Sequence, residues 1–260
     1  MGMVGREEDG GVVTLTLDDP AKLNALSMAM LDALGEALDA VAGSDARCVV
    51  LRGAGRAFCA GHDMRELQAM RQAEDGGRAG LGALFDRCAA VMARIRALPQ
   101  PVIAQVHGLA TAAGCQLVAT CDMAVAAEDA RFGVNGVSVG LFCSTPMVAL
   151  SRNVGRKQAM EMLVTGAFVD AARAAELGLV NRAVPADRLE AETQELARTV
   201  AGKLGAAVRI GKGVFHAQAE RTTEEAYALT RDAMLANLAL EETGEGIVAF
   251  LEKRPPRWTQ

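Results

Sequence analysis

Two short stretches carry the residue types that could do chemistry on a carbonyl group. The first, AFCAGHDMREL (residues 57–67), is a glycine-bearing loop running into a helix, with Asp63 placed to cap it. The free N–H groups at such a helix start can receive an anion or a polarised carbonyl oxygen. The second, TAAGCQLVATCD (residues 111–122), sets Ala112, Ala113 and Gly114 ahead of an apolar helix, with Gln116 about one turn in. The first turn alone also reads as a plain loop-to-helix junction. If the two converge on one oxygen, they stabilise the charge that develops there.

The side chains around these turns limit the chemistry further. Gln116 can orient a water through its amide, yet it has no accessible pKa and cannot act as a general base. His62 is expected to offer its backbone amide while its ring packs or faces solvent. Asp63 reads as a cap rather than an acid, and Glu66, one turn into the same helix, as a solvated carboxylate. Cys143 and Ser144 are nucleophilic residue types, but either needs an activating base. Neither His107 nor His216 has a sequence context that places it nearby, and no histidine follows Ser144 before His216.

Regular elements must hold these residues in place. VVTLTL (residues 12–17) alternates apolar residues with Thr and ends in Asp18-Asp19-Pro20, a strand and a turn. Ser27 suits the N-cap of a helix with Leu31, Leu34, Leu38 and Val41 along one face, closed by Gly43 and Ser44. CVVLRG (48–53), VIAQV (102–106) and MAVAA (123–127) read as buried strands. A helix is expected over residues 81–98, after a segment around 74–82 whose Gly76, Gly77 and Gly80 favour mobility. Strands alternating with helices predict an α/β architecture with largely parallel, two-face-buried strands. Helical patterns dominate from Met147 onward, including 186–204, 223–240 and 245–253. The division expected is a core over 1–200 and a helical region over 201–260.

Composition excludes several roles. The 260 residues are 51% hydrophobic, enough for a sizeable core, and net charge is −5 without a long basic run. Nucleic acid and anionic membrane surfaces are therefore not expected partners. The six cysteines form no CxxC pair, and none of the three histidines stands at zinc-ligand spacing from them, so a reduced interior without a structural metal is expected. The acidic opening MGMVGREEDGG lacks signal or transit character, and no stretch approaches the ~20 apolar residues of a membrane span. A soluble, cytoplasmic protein is the expectation.

The whole chain from Val12 to Trp258 resembles the crotonase superfamily of enoyl-CoA hydratases and isomerases. LNALS (23–27), AFCAGHDMREL, PVIAQVHGLATAAGCQLVATCDMAVAAEDARFG (101–133), AMEMLVTG (159–166), ELGLVNRAVP (176–185) and EGIVAFLEKRPP (245–256) match in order and at family-like spacing. GLATAAGCQLVATCD together with VGLFCSTP is most similar to the enoyl-CoA hydratase domain-containing subgroup, whose vertebrate members are mitochondrial.

The resemblance implies ββα units wound into a right-handed spiral, with C-terminal helices that make homotrimers or hexamers. It implies a bound acyl-CoA, with no separate cofactor, whose thioester oxygen accepts the amides of His62 and Ala113. Family members usually carry glycine at the second of these positions; alanine keeps the N–H. The coenzyme A chain would pass Ala21, Lys22, Leu23, Ala60, Asp63 and Met64. Phe250 and Lys253, from a neighbouring subunit, would cover the acyl pocket and meet the nucleotide phosphates, although Lys253 reads equally as a solvated helix-end lysine. The two hydratase glutamates match Gln116 and Gly136, and a related dehalogenase carries its nucleophile at the place of Ser144. General acid–base catalysis contributes ~100- to 10,000-fold per group, so standard enoyl hydration is not expected here. A weak hydratase, a decarboxylase, isomerase or thioesterase of this type, and a non-catalytic acyl-CoA-binding protein are the readings this leaves.

Overall fold

A computed structural model describes residues 2–258. In chain order the strands and α-helices are β1 (Val4–Asp9), β2 (Val12–Leu17), α1 (Met28–Ala42), β3 (Cys48–Gly53), α2 (Met64–Arg71), α3 (Arg78–Ala97), β4 (Val102–Val106) and β5 (Leu109–Thr111). Next come α4 (Ala113–Thr120), β6 (Met123–Ala127), β7 (Arg131–Gly133), α5 (Pro146–Asn153), α6 (Arg156–Thr165), β8 (Val169–Asp170), α7 (Ala171–Glu176) and β9 (Arg182–Val184). Four helices close the chain: α8 (Leu189–Ala201), α9 (Gly205–Gln218), α10 (Thr223–Leu238) and α11 (Glu241–Leu251).

Six strands form one sheet in the order β1-β2-β3-β4-β6-β9, and three short ones form a second, β5-β7-β8. Only the β1–β2 hairpin is antiparallel in the large sheet; the other pairs are parallel. In two successive units the chain places one strand in each sheet before the next α-helix. These are β4 and β5 before α4, then β6 and β7 before α5, a repeating turn of the core. One face of the large sheet packs on α1, α3 and α4 through Leu15, Leu17, Leu34, Val91 and Leu117; the other carries Val12, Val50, Ile103 and Val125 against α8.

The strands at 12–17, 48–53, 102–106 and 123–127 lie where the apolar runs put them, and Ser27 caps α1 by accepting the Met30 amide. Several edges move. α3 starts at Arg78, not 81, because Asp75 accepts the amides of Gly77 and Ala79 at 2.9 and 2.8 Å and so opens the helix early. Both Gly76 and Gly77 adopt positive φ, a region that costs L-residues energy and glycine little. The 186–204 helix begins at Leu189, after a 3₁₀ turn over Ala186–Arg188, and the 245–253 helix runs over Glu241–Leu251.

Candidate functional site

Main-chain hydrogen bonds bring the two turns together. The loop before α2 runs alongside β5: Cys59 N–H donates to Leu109 O at 3.0 Å, and Thr111 N–H donates back to Cys59 O at 3.1 Å. Two parallel segments thus end side by side, one entering α2 and the other α4. Gly61 (φ +85°) sits where they touch: a Cβ there would stand 3.0 Å from Ala112 Cβ and 3.3 Å from the Ala113 nitrogen. A Cβ at Gly114 would run into the Cys59 carbonyl. The His62 and Ala113 amides therefore lie on two contacting turns, and neither donates a hydrogen bond to another described residue.

The second turn is bent to achieve this. Ala112 holds φ 50°, ψ −118°, a conformation that favours glycine, and its own amide is spent on Gly133 O at 2.8 Å in β7. Ala113 becomes the first residue of α4 with its N–H free, and is itself buried.

A residue the sequence reading did not single out fixes the first turn. Asn24 is fully buried, and its Nδ2 donates to the carbonyls of Ala54, Ala57 and Phe58 while its Oδ1 accepts the Asp19 amide. With Leu23 it occupies the left-handed region at φ 54°, and this kink lets Leu26 N–H reach Gly61 O and Ala60 N–H reach Leu23 O. An asparagine inside the apolar LNALS was the available signal.

Asp63 caps α2, accepting from Arg65 and Glu66, and its other oxygen pairs with Lys22 Nζ at 2.9 Å. The Lys22 ammonium holds the Asp63 carboxyl below its usual range, and Asp63 in return raises Lys22. Ala21, Lys22 and Met64 are exposed around this pair, with Leu23 and Ala60 half-buried. Glu66 is not the free solvated carboxylate expected: it reaches the start of α1 and accepts the Met28 amide at 3.1 Å, completing that helix's cap. His62 Nδ1 donates to Leu26 O at 2.9 Å and the ring lies edge-on to Phe85. Burial lowers its pKa, and Nε2 is buried without a partner among the described residues.

Gln116 is 6% exposed, and its Oε1 likewise has no hydrogen-bond partner among the described residues. Gly136 is half-buried, and the direction a side chain would take is occupied. A Cβ there would lie 2.5 Å from Leu141 O and 2.9 Å from Cys143 Sγ, and the Gly136 amide donates to that sulfur at 3.3 Å. Burial pushes the Cys143 thiol up in pKa. Ser144 is exposed, and among the described residues its hydroxyl donates only to Phe142 O, at 3.4 Å. His107 bonds to Gly55 O and His216 to Asp122, so neither meets Ser144.

Phe250 is 81% exposed at the end of α11, with Lys253 exposed just beyond it, and neither reaches the turns within this chain. A groove of about 520 Å³ lies between α3 and α9, lined by Arg96, Arg209 and His216; neither of the two turns nor Gln116 lines it. Among the described residues no cluster of three or more metal-ligating side chains occurs, and no helix is long and apolar enough to cross a membrane.

The sequence profile of the enoyl-CoA hydratase/isomerase family matches residues 7–260. The chain belongs to that family. Among curated members of the enoyl-CoA hydratase/isomerase family, it is 45% identical over 250 residues to human enoyl-CoA hydratase domain-containing protein 3, mitochondrial, covering 96% of this chain and 81% of that one. The mouse protein of the same name is 43% identical over 255 residues, 98% of this chain and 83% of that one. Among solved structures, an enoyl-CoA hydratase from Mycobacterium smegmatis superposes with a TM-score of 0.96 at 52% identity over the full length of both chains. The human domain-containing protein 3 superposes at 0.94 with 44% identity, covering 98% of this chain and all of that one. The crotonase-type spiral is therefore the family's, and the contacting turns lie within the matched span.

Proposed function

We propose that this chain binds an acyl-CoA thioester with its carbonyl oxygen between the amides of His62 and Ala113, and that it does not hydrate enoyl thioesters by a two-carboxylate route. The contact of Gly61 with Ala112 and Ala113 carries this reading, because it sets two undonated amides on adjoining turns. Such donors stabilise an enolate-like oxygen without any side chain. The coenzyme A chain runs past Ala21, Lys22, Leu23, Ala60, Asp63 and Met64. A homotrimer or a hexamer lets Phe250 and Lys253 of a neighbouring copy close over the ligand. The exposure of Phe250 and of Leu251, 81% and 73%, supports that arrangement.

Against hydration stands the chemistry at two positions. Gln116 exchanges no proton, and Gly136 has no room for a side chain. What remains is chemistry that needs only enolate stabilisation, such as decarboxylation or isomerisation with a base brought by the substrate. A non-catalytic acyl-CoA-binding protein is the second reading, favoured by the raised Cys143 pKa and by a Ser144 hydroxyl bonded, among the described residues, only to Phe142 O.

Crotonyl-CoA hydration by the purified protein, measured beside calorimetric titration with acetoacetyl-CoA, tests the proposal. Binding without turnover supports it. Turnover at rates ordinary for enzymes sinks the second half, and no binding sinks the first. The cytoplasmic location expected from the sequence differs from the mitochondrial one in the vertebrate relatives' names; fractionation of source cells decides between them.

A further inference from the structure

The groove between α3 and α9 is apart from the two turns. Ala93, Arg96 and Ala97 line it from α3, and Arg209, Gly213 and His216 from α9. Phe85, which meets the His62 ring, stands about 16 Å from Arg96 along the axis of α3. The charge of the groove runs against that of the chain, whose net charge is −5. Its one lining acid is Glu220, and that carboxylate accepts from Arg96 Nη2 at 3.2 Å. Arg209 is exposed and pairs with no described residue. His216 is fixed in the wall: Nε2 donates to Asp122 Oδ1 at 3.1 Å, and the other Asp122 oxygen accepts Lys212 Nζ at 2.6 Å and the Val102 amide at 2.7 Å. A surplus of positive charge is thus held in a concave part of an acidic protein, which favours an anion there.

The floor of the groove is bare. Gly213 is exposed within α9, where glycine is less stable than alanine, and a Cβ built on it meets nothing within 4 Å. No neighbour in this chain needs the side chain to be absent; a ligand lying in the groove does. We infer that the groove is a second binding site, which takes a phosphate monoester carried on an apolar, planar body. Two guanidinium forks and an imidazole suit the three terminal oxygens of a phosphate monoester better than the two of a carboxylate. Ala97, Pro99 and Ala217 supply apolar lining for the body. The volume of about 520 Å³ lies within the ~300–1,000 Å³ of small-molecule sites, well beyond what a phosphate group fills. The site is independent of the acyl-thioester reading.

The test is calorimetric titration of the full-length protein with 1-naphthyl phosphate, 1-naphthoate and inorganic phosphate, repeated on Arg209→Met, Gly213→Leu and Gly211→Leu. 1-Naphthyl phosphate is expected to bind at least about tenfold more tightly than either of the others. Arg209→Met should weaken it about tenfold, and Gly213→Leu, whose side chain enters the groove, should abolish it. Gly211 is as open as Gly213 but does not line the groove, so Gly211→Leu should bind as the unaltered protein does. Should Gly213→Leu not fold, as judged by circular dichroism, Gly213→Met takes its place. Saturating acetoacetyl-CoA should leave the affinity unchanged; displacement would put the probe on the coenzyme A path and overturn the inference. Equal binding of 1-naphthoate overturns the phosphate assignment. So does a 1-naphthyl phosphate affinity that Gly213→Leu leaves intact. Absence of binding, with a smaller assembly for Gly213→Leu in sedimentation, assigns the groove to a second copy of the chain and overturns the inference; absence of binding alone overturns it too.

Discussion

Gly136 and Cys143 fill each other's space. The glycine amide donates to the cysteine sulfur at 3.3 Å, and a Cβ at 136 would stand 2.9 Å from that sulfur and 2.5 Å from Leu141 O. A side chain at 136 would therefore have to displace Leu141 O and the Cys143 sulfur. Gln116→Glu alone installs one titrating group, worth ~100- to 10,000-fold where it can act. The double variant Gln116→Glu, Gly136→Glu is expected to be no faster than that single one in crotonyl-CoA hydration, and about 1–3 kcal/mol less stable to urea.

The contact at Gly61 predicts a loss of both fold and ligand. Gly61→Ala puts a methyl at φ +85°, 2.9 Å from Thr111 O and 3.0 Å from Ala112 Cβ. A destabilisation of about 1–3 kcal/mol is expected from the backbone conformation and the contact together. Acetoacetyl-CoA affinity should fall further than stability explains, because the two turns are pushed apart. Calorimetry below the unfolding temperature checks it.

At the far end of the sheet, Lys212 of α9 is buried, and its ammonium donates to Asp122 Oδ2, Ile95 O and Gln100 O at 2.6, 2.9 and 2.9 Å. Lys212→Met leaves the Asp122 carboxylate and two carbonyls without this partner and should cost about 3–5 kcal/mol in chemical denaturation. Asp122 keeps the Val102 amide and His216 Nε2 as partners, and adding Asp122→Asn should recover part of that loss, since the carboxylate charge left without its ammonium is gone.

The Asp63–Lys22 pair predicts a pH signature. Asp63 has its folded pKa depressed, chiefly by the Lys22 hydrogen bond, below the ~3.9 of an unfolded aspartate. Its contribution is then fully present above that unfolded value and is lost as pH falls through the lower, folded one. Asp63→Asn keeps an N-cap but loses the ion pair. The stability difference between the two proteins, from urea unfolding, should be constant from pH 7 down to about 5 and shrink toward zero in more acidic solution. A difference that persists at the acid end would assign the effect to the cap instead.

How far the sequence disclosed all this depends on how local each signal is. Ser27 and Asp63 were readable as caps because an N-cap is a contact over two or three residues, and the long strands because four to six apolar residues in a row leave little alternative. β1 was hidden by its charges, VGREED, which suit an exposed edge strand. β5, β7 and β8 have three, three and two residues, too few for a periodicity to register, yet they are what sets the loop before α2 against Ala112. The helix α9 escaped because its three glycines and mixed burial blur the apolar stripe. Glu66 and Asn24 act across 38 and 30 to 34 residues of chain, a reach no spacing rule covers. The family resemblance placed Gly136 opposite a glutamate, but only packing reveals that Leu141 and Cys143 have taken the room.

One feature of the turns bears on how such a protein changes over time. The two undonated N–H groups of His62 and Ala113 belong to the main chain, and every amino acid except proline carries one there. Their direction is set by Gly61, by the Ala112 bend and by strand pairing, not by the identity of residues 62 and 113. Substitution at the neighbouring side chains can therefore proceed freely without erasing them. A lineage can exchange its acids and bases for amides or for nothing, and still hand down the same two hydrogens.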